Sequence, residues 1–127
     1  MILGIGSDLA EVDRIEQSFE KYGQRFLNRV YTAREVAYSL RKKNYAERLA
    51  ARFAAKEAGM KAIGTGWHRG VTWRDFEVVN EPSGRPTLRL SGAAATIAAQ
   101  LGVTSISLSL THTSTVAMAV VILEGGL

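Results

Sequence analysis

The chain has 127 residues, 46% of them hydrophobic and 22% charged, with two prolines and no cysteine. This is the make-up of one ordinary globular domain, and it excludes disulfides, thiolate zinc sites and cysteine nucleophiles. A net charge of +4 and a pI near 9.7 favour an anionic partner, which leaves nucleic acid, a nucleotide or an acidic protein open.

A domain this small leaves much of its surface uncovered, so a large site is expected to need a second subunit. The amino terminus has no basic stretch before its apolar run and meets Asp8 early. No apolar run nears the roughly 20 residues of a membrane helix. A cytoplasmic protein with no membrane partner is expected.

Ile2 to Ile5 reads as a buried strand, and Gly4 and Gly6 permit close approach of another backbone. Asp8 is expected just past the strand end. Val12, Ile15, Phe19 and Tyr22 form a helical stripe, and Gly23 supplies its stop. Thr32 followed by Glu35 is a capping-box signature for a second helix ending near Asn44. The alanine-rich run from Ala46 to Ile63 is the strongest helix signal in the chain, closed by Gly64-Thr65-Gly66.

Val71 to Asn80 and Thr87 to Leu90 read as strands around the turn Glu81-Pro82-Ser83-Gly84-Arg85-Pro86. Ser91 can cap a helix that Gly102 closes. Ile106, Leu108 and Leu110 alternate with polar residues in a half-buried strand, and Val116 to Leu123 forms a more apolar one, with Thr111 to Thr115 as the hairpin loop. The class is α+β: a single domain over 1–127 with an antiparallel sheet packed against one long helix.

At about 100° per residue, Leu49, Phe53, Met60 and Ile63 share one stripe of that helix, with alanines behind it. Such a helix is expected to be buried, yet it carries Arg52, Lys56, Glu57 and Lys61. Unpartnered buried ions cost several kcal/mol each. They therefore form an internal ion-pair network or face a polyanionic ligand, and three cations to one carboxylate leave charge over for the ligand.

Asp8 supplies a second carboxylate, or else a cap or turn. Two carboxylates beside excess cations fit Mg²⁺ held together with phosphates, and hence phosphoryl transfer. Gly4-Ile5-Gly6 is not a dinucleotide fingerprint, because Leu9 stands at the third glycine position. His68 and His112 make no metal spacing, and Trp67 and Trp73 read as core and rim aromatics.

Taken together, the blocks Gly4-Ile5-Gly6-Ser7-Asp8-Leu9 with Asp13-Arg14-Ile15, Arg52-Phe53-Ala54-Ala55-Lys56-Glu57-Ala58 with Lys61, Gly84-Arg85-Pro86, and Ser109-Leu110-Thr111-His112-Thr113 are ordered along nearly the whole chain. In this order the sequence resembles the acyl-carrier-protein synthase family of phosphopantetheinyl transferases. The resemblance implies the phosphopantetheinyl transferase fold, Mg²⁺ on Asp8 and Glu57, and coenzyme A as co-substrate. Arg52, Lys56, Lys61, His112 and Thr113 are expected around the coenzyme A phosphates, and Gly84, Arg85 and Pro86 against the adenine.

It further implies a homotrimer with sites between subunits, and an acyl carrier protein of fatty acid synthesis as partner. Catalysis falls to Asp8, Glu57 and Lys61; the base is Glu57, Asp8 or a metal-bound water. This chain has Val116-Ala117 where relatives commonly have a tyrosine-alanine pair, and His112 is read as binding rather than catalytic. The rival readings are a basic nucleic-acid-binding module and an inactive structural trimer.

Overall fold

The computed structural model describes residues 1–126. Its elements run β1 (Ile2–Glu11), α1 (Val12–Tyr22), α2 (Gln24–Val30), α3 (Ala33–Leu40), α4 (Tyr45–Ile63), a 3₁₀ turn (Trp73–Asp75), β2 (Phe76–Asn80), β3 (Pro86–Leu90), α5 (Gly92–Leu101), β4 (Ser105–His112) and β5 (Val116–Glu124). The antiparallel sheet β1-β5-β4 lies against α4, and β2-β3 forms a separate antiparallel hairpin. The expected α+β class holds, with two sheets rather than one.

Contact between α4 and the three-stranded sheet is made by small residues. Ala51, Ala54, Ala55, Ala58 and Ala62 are buried on α4, opposite Ala117 and Ala119 on β5. A Cβ built on Gly4 would collide with the Ala62 carbonyl, and one on Gly6 with the Ala58 carbonyl. The two glycines thus admit the helix backbone as expected, because no side chain separates β1 from α4.

Asp8 does not lie past a strand end. β1 continues to Glu11 because its pairing with β5 continues, Asp8 facing Ala119 and Glu11 facing Val116. Along the strand, Gly6 and Ala10 are buried towards α4, and Ile5, Ser7 and Leu9 point out of the sheet. Asp8 therefore stands on the helix side.

Other boundaries shift for local reasons. Gly23, at φ 54°, ends α1 and also opens α2, a helix the sequence stripe did not disclose. The Thr32–Glu35 capping box is present, and α3 stops at Leu40. Only Phe76–Asn80 of the expected Val71–Asn80 strand is extended; Thr72 and Asp75 cap the 3₁₀ turn before it. Gly64 and Gly102 adopt the left-handed conformation that ends α4 and α5. No helix among the described residues is long and apolar enough to cross a membrane.

Candidate active site at the end of the long helix

β1 and α4 bring Asp8, Glu57 and Lys61 together. The Lys61 ammonium donates to Asp8 Oδ1 at 2.9 Å and to the Ser7 carbonyl at 3.0 Å. Lys61 thus pairs with Asp8 across the interface and not with Glu57 one turn away. Glu57 Oε1 accepts the Trp73 indole N–H at 3.4 Å. Burial raises the Glu57 pKa; the Trp73 hydrogen bond opposes that rise, Asp8 adds to it, and Lys61 opposes it.

Glu57 and Trp73 sit in the wall of a cleft of about 930 Å³ between β1, α1, α2 and α4. Arg14, Arg25 and Arg29 also line it, the Arg29 guanidinium 5.8 Å from the centre of the Trp73 ring, and Ile15, Phe26 and Phe53 supply apolar surface. Three arginines thus share this cleft with Glu57 and give it a positive lining.

The two carboxylates fit a hard divalent cation. Oδ1 of Asp8 is engaged by Lys61 and Oε1 of Glu57 by Trp73, and neither second oxygen is engaged among the described residues. No group of three or more potential metal-ligating side chains occurs among the described residues. Two carboxylates completed by phosphate oxygens and water are what Mg²⁺ accepts.

The other expected site residues lie elsewhere on the chain. Lys56 is fully buried, with its ammonium 2.6 Å from Glu35 Oε1 and donating also to the carbonyls of Trp73 and Phe76. Its donors are spent inside the protein, so on this geometry Lys56 does not face phosphates; the internal ion-pair reading holds for this residue. Burial depresses its pKa, and the Glu35 carboxylate partly restores it.

Arg52 is five residues before Glu57, about 140° round the helix. It is 5% exposed, 4.3 Å over the Tyr38 ring, and its Nε finds no partner among the described residues. Arg48 donates to the Tyr38 hydroxyl at 2.9 Å. Gly84 and Arg85 lie in the turn between β2 and β3, and Pro86 opens β3 opposite Asn80. His112 ends β4 and bonds Glu47 at 3.1 Å, ten residues and about 15 Å along α4 from Glu57. The Thr113 hydroxyl is occupied in the β4–β5 turn, accepting from the Thr115 and Val116 amides. One chain therefore assembles Asp8, Glu57 and Lys61, and holds Arg52, the 84–86 turn and His112 apart from them.

A family model described as the 4'-phosphopantetheinyl transferase superfamily matches residues 4–121. The chain belongs to that superfamily. Within it, this transferase groups with the holo-[acyl-carrier-protein] synthases. It is 63% identical to the one from Solibacter usitatus over 98% of this chain and 99% of that protein, and 57% identical to the one from Koribacter versatilis over the same shares. The transferase fold agrees with solved structures. The Neisseria meningitidis holo-[acyl-carrier-protein] synthase superposes with a TM-score of 0.88 at 33% identity, covering 98% of this chain and 99% of that one. The Bacillus anthracis synthase, solved in complex with CoA (3',5'-ADP), gives 0.81 at 37% identity over 99% of both.

Sequence reasoning missed two residues of this transferase. From the sequence Trp73 reads as a core or rim aromatic, whereas its N–H reaches Glu57. Glu35 reads from the sequence as the acidic member of a capping box, and its carboxylate is also the partner of Lys56. The uncompensated ammonium of Lys56 was the available signal for a buried acid, without indicating which one.

Proposed function

We propose that this protein transfers the 4'-phosphopantetheine arm of coenzyme A to a serine of an apo acyl carrier protein in fatty acid synthesis, in the cytoplasm, with Mg²⁺ held by Asp8 and Glu57. The observation that carries the reading is the meeting of Asp8, Glu57 and Lys61 beside the arginine-lined cleft. In the reaction, the serine oxygen bonds to the β-phosphorus of coenzyme A, the bond from that phosphorus to the bridging oxygen breaks, and 3',5'-ADP departs. The exposed Lys61 ammonium supplies a positive charge, and a proton donor, for the leaving oxygen. Bound Mg²⁺ supplies neutralisation of pyrophosphate charge. The serine proton passes to a base, for which Asp8 and Glu57 are the carboxylates that meet at the site.

A trimeric assembly is part of the same reading. Ile5 and Leu9 on β1 are 64% and 66% exposed, Met118 on β5 is 38% exposed, and they share the face of the sheet turned away from α4. Copies of the chain packed on this face would bury it. They would also supply Arg52, the 84–86 turn and His112 of one protomer to the carboxylates of the next, which a single chain keeps apart. The Bacillus anthracis relative, with CoA (3',5'-ADP) bound, supports the nucleotide as ligand.

The deciding experiment incubates the protein with coenzyme A, Mg²⁺ and an apo carrier. Mass spectrometry is expected to show the phosphopantetheine arm on the carrier and free 3',5'-ADP in equal amounts. No mass gain on the carrier, with the protein folded, overturns the proposal.

A further inference from the structure

The Glu57 side chain enters the cleft from α4, where its neighbours one turn away are Phe53, Ala54, Met60 and Lys61 and none of them hydrogen-bonds its carboxylate among the described residues. Fixing a glutamate in one rotamer costs side-chain entropy, and a metal ligand that must be ordered at binding weakens the site by that cost. Trp73 is the group placed to meet it in advance. Its indole N–H donates to Glu57 Oε1, the hydrogen bond this carboxylate makes among the described residues.

Trp73 is itself held from several directions. Its carbonyl accepts from the Lys56 ammonium at 3.3 Å, and Lys56 is anchored on Glu35, which also accepts from the Thr32 and Val78 amides. The 3₁₀ turn that carries Trp73 is capped by Asp75, which also accepts from the Ala94 amide of α5 at 3.2 Å. The ring leans on Phe53 with centroids 5.9 Å apart, takes the edge of Trp67 at 86°, and has the Arg29 guanidinium 5.8 Å from its centre. The buried Lys56–Glu35 pair and α5 thus both hold the backbone turn from which the indole reaches Glu57.

We propose that Trp73 is a positioning residue: its indole N–H holds Oε1 of Glu57 so that Oε2 is turned to the divalent cation. The inference rests on the reading of Asp8 and Glu57 as metal ligands. Outer-shell partners of metal-ligating groups commonly contribute about 10- to 100-fold in metal affinity or activity.

The test replaces Trp73 with β-(3-benzothienyl)alanine, which keeps the ring system and puts sulfur in place of the N–H; Trp73→Phe is the natural-residue companion. Binding of Mn²⁺ alone is followed by electron paramagnetic resonance, beside the melting temperature and steady-state kinetics. The isostere is expected to melt with the parent, to raise the Mn²⁺ Kd about tenfold, and to lower kcat by a similar factor with carrier KM within about twofold. Parent-like Mn²⁺ affinity in the isostere overturns the inference, whatever Trp73→Phe does to folding. Glu57→Gln separates the two readings. If it loses Mn²⁺ and the isostere does not, the positioning role alone fails; if it binds Mn²⁺ as tightly as the parent, the metal assignment fails and the positioning role with it.

Discussion

Lys56 and Glu35 meet 2.6 Å apart with neither side chain exposed, and they join α4 to α3 at the point where β2 begins. Removing one member leaves the other charged in a dry interior. Glu35→Gln and Lys56→Met are each expected to destabilise the fold by about 3–5 kcal/mol, read by urea denaturation. Replacing both by apolar residues should recover only part of this loss, because the Thr32 and Val78 amides and the Trp73 and Phe76 carbonyls would be left without partners. A loss under about 1 kcal/mol in the single variants would contradict the assignment.

Asp8→Asn and Glu57→Gln are expected to cut transfer by at least about a hundredfold while the circular dichroism spectrum stays that of the parent. The Glu57 variant carries a second expectation. Its carboxyl is held above the ordinary 4.5 by burial, so the folded state binds that proton more tightly than the unfolded chain. The stability from this site is complete below about pH 4.5 and is lost as pH rises through the raised folded value. The melting temperature of Glu57→Gln relative to the parent should therefore climb from pH 4.5 towards neutrality; a gap that narrows would refute the shift.

Gly6→Ala tests the close approach of β1 to α4. The new methyl meets the Ala58 carbonyl, which is backbone and cannot turn aside. A loss of about 1–3 kcal/mol or more is expected by calorimetry, with a larger loss of activity because Asp8 and Glu57 lie on the two parts forced apart. Gly126→Ala, which meets nothing within 4 Å, is the matched control and should be neutral.

Sedimentation at micromolar concentration is expected to give a trimer. Leu9→Lys places a charge on the exposed face of β1, away from the core of a single chain, and should yield folded monomers without transfer activity. A fully active monomer would show that one chain completes its own site.

How much of this could be read from the sequence differs by element. The long helix, the glycine contact and the capping box were legible because each is set by neighbours in sequence: alanine density, absent Cβ atoms, and a threonine three residues before a glutamate. The length of β1 was not, since Ser7 and Asp8 look like a strand end until β5 is known to lie alongside. Seven-residue α2 shares its flanking glycine with α1, and that glycine signals a stop as well as a start. Of the site, the trio Asp8, Glu57 and Lys61 was recognisable as a set. The partner of Lys56 was not, for it comes from 21 residues away.

Arg14, Arg25 and Arg29 line the cleft that leads to Glu57, and an acidic carrier helix is expected to dock on them. Each exposed pair contributes only about 0–1 kcal/mol and is screened at physiological salt. Arg14→Glu should raise carrier KM several-fold and flatten its salt dependence, with coenzyme A KM nearly unchanged. Kinetics at two ionic strengths decide this; an equal effect on both substrates would place the docking face elsewhere.

The absence of side chains between Gly4, Gly6 and the carbonyls of Ala62 and Ala58 makes the strand and the helix behave as one rigid gauge. Ordinary core contacts are cushioned by rotamers, so their spacing drifts as neighbouring residues change. Here the gap is set by atomic radii of the main chain alone. Substitutions elsewhere in the core can weaken the fold without altering how far apart the two acidic residues stand. Drift in the rest of the sequence therefore costs stability well before it detunes the chemistry.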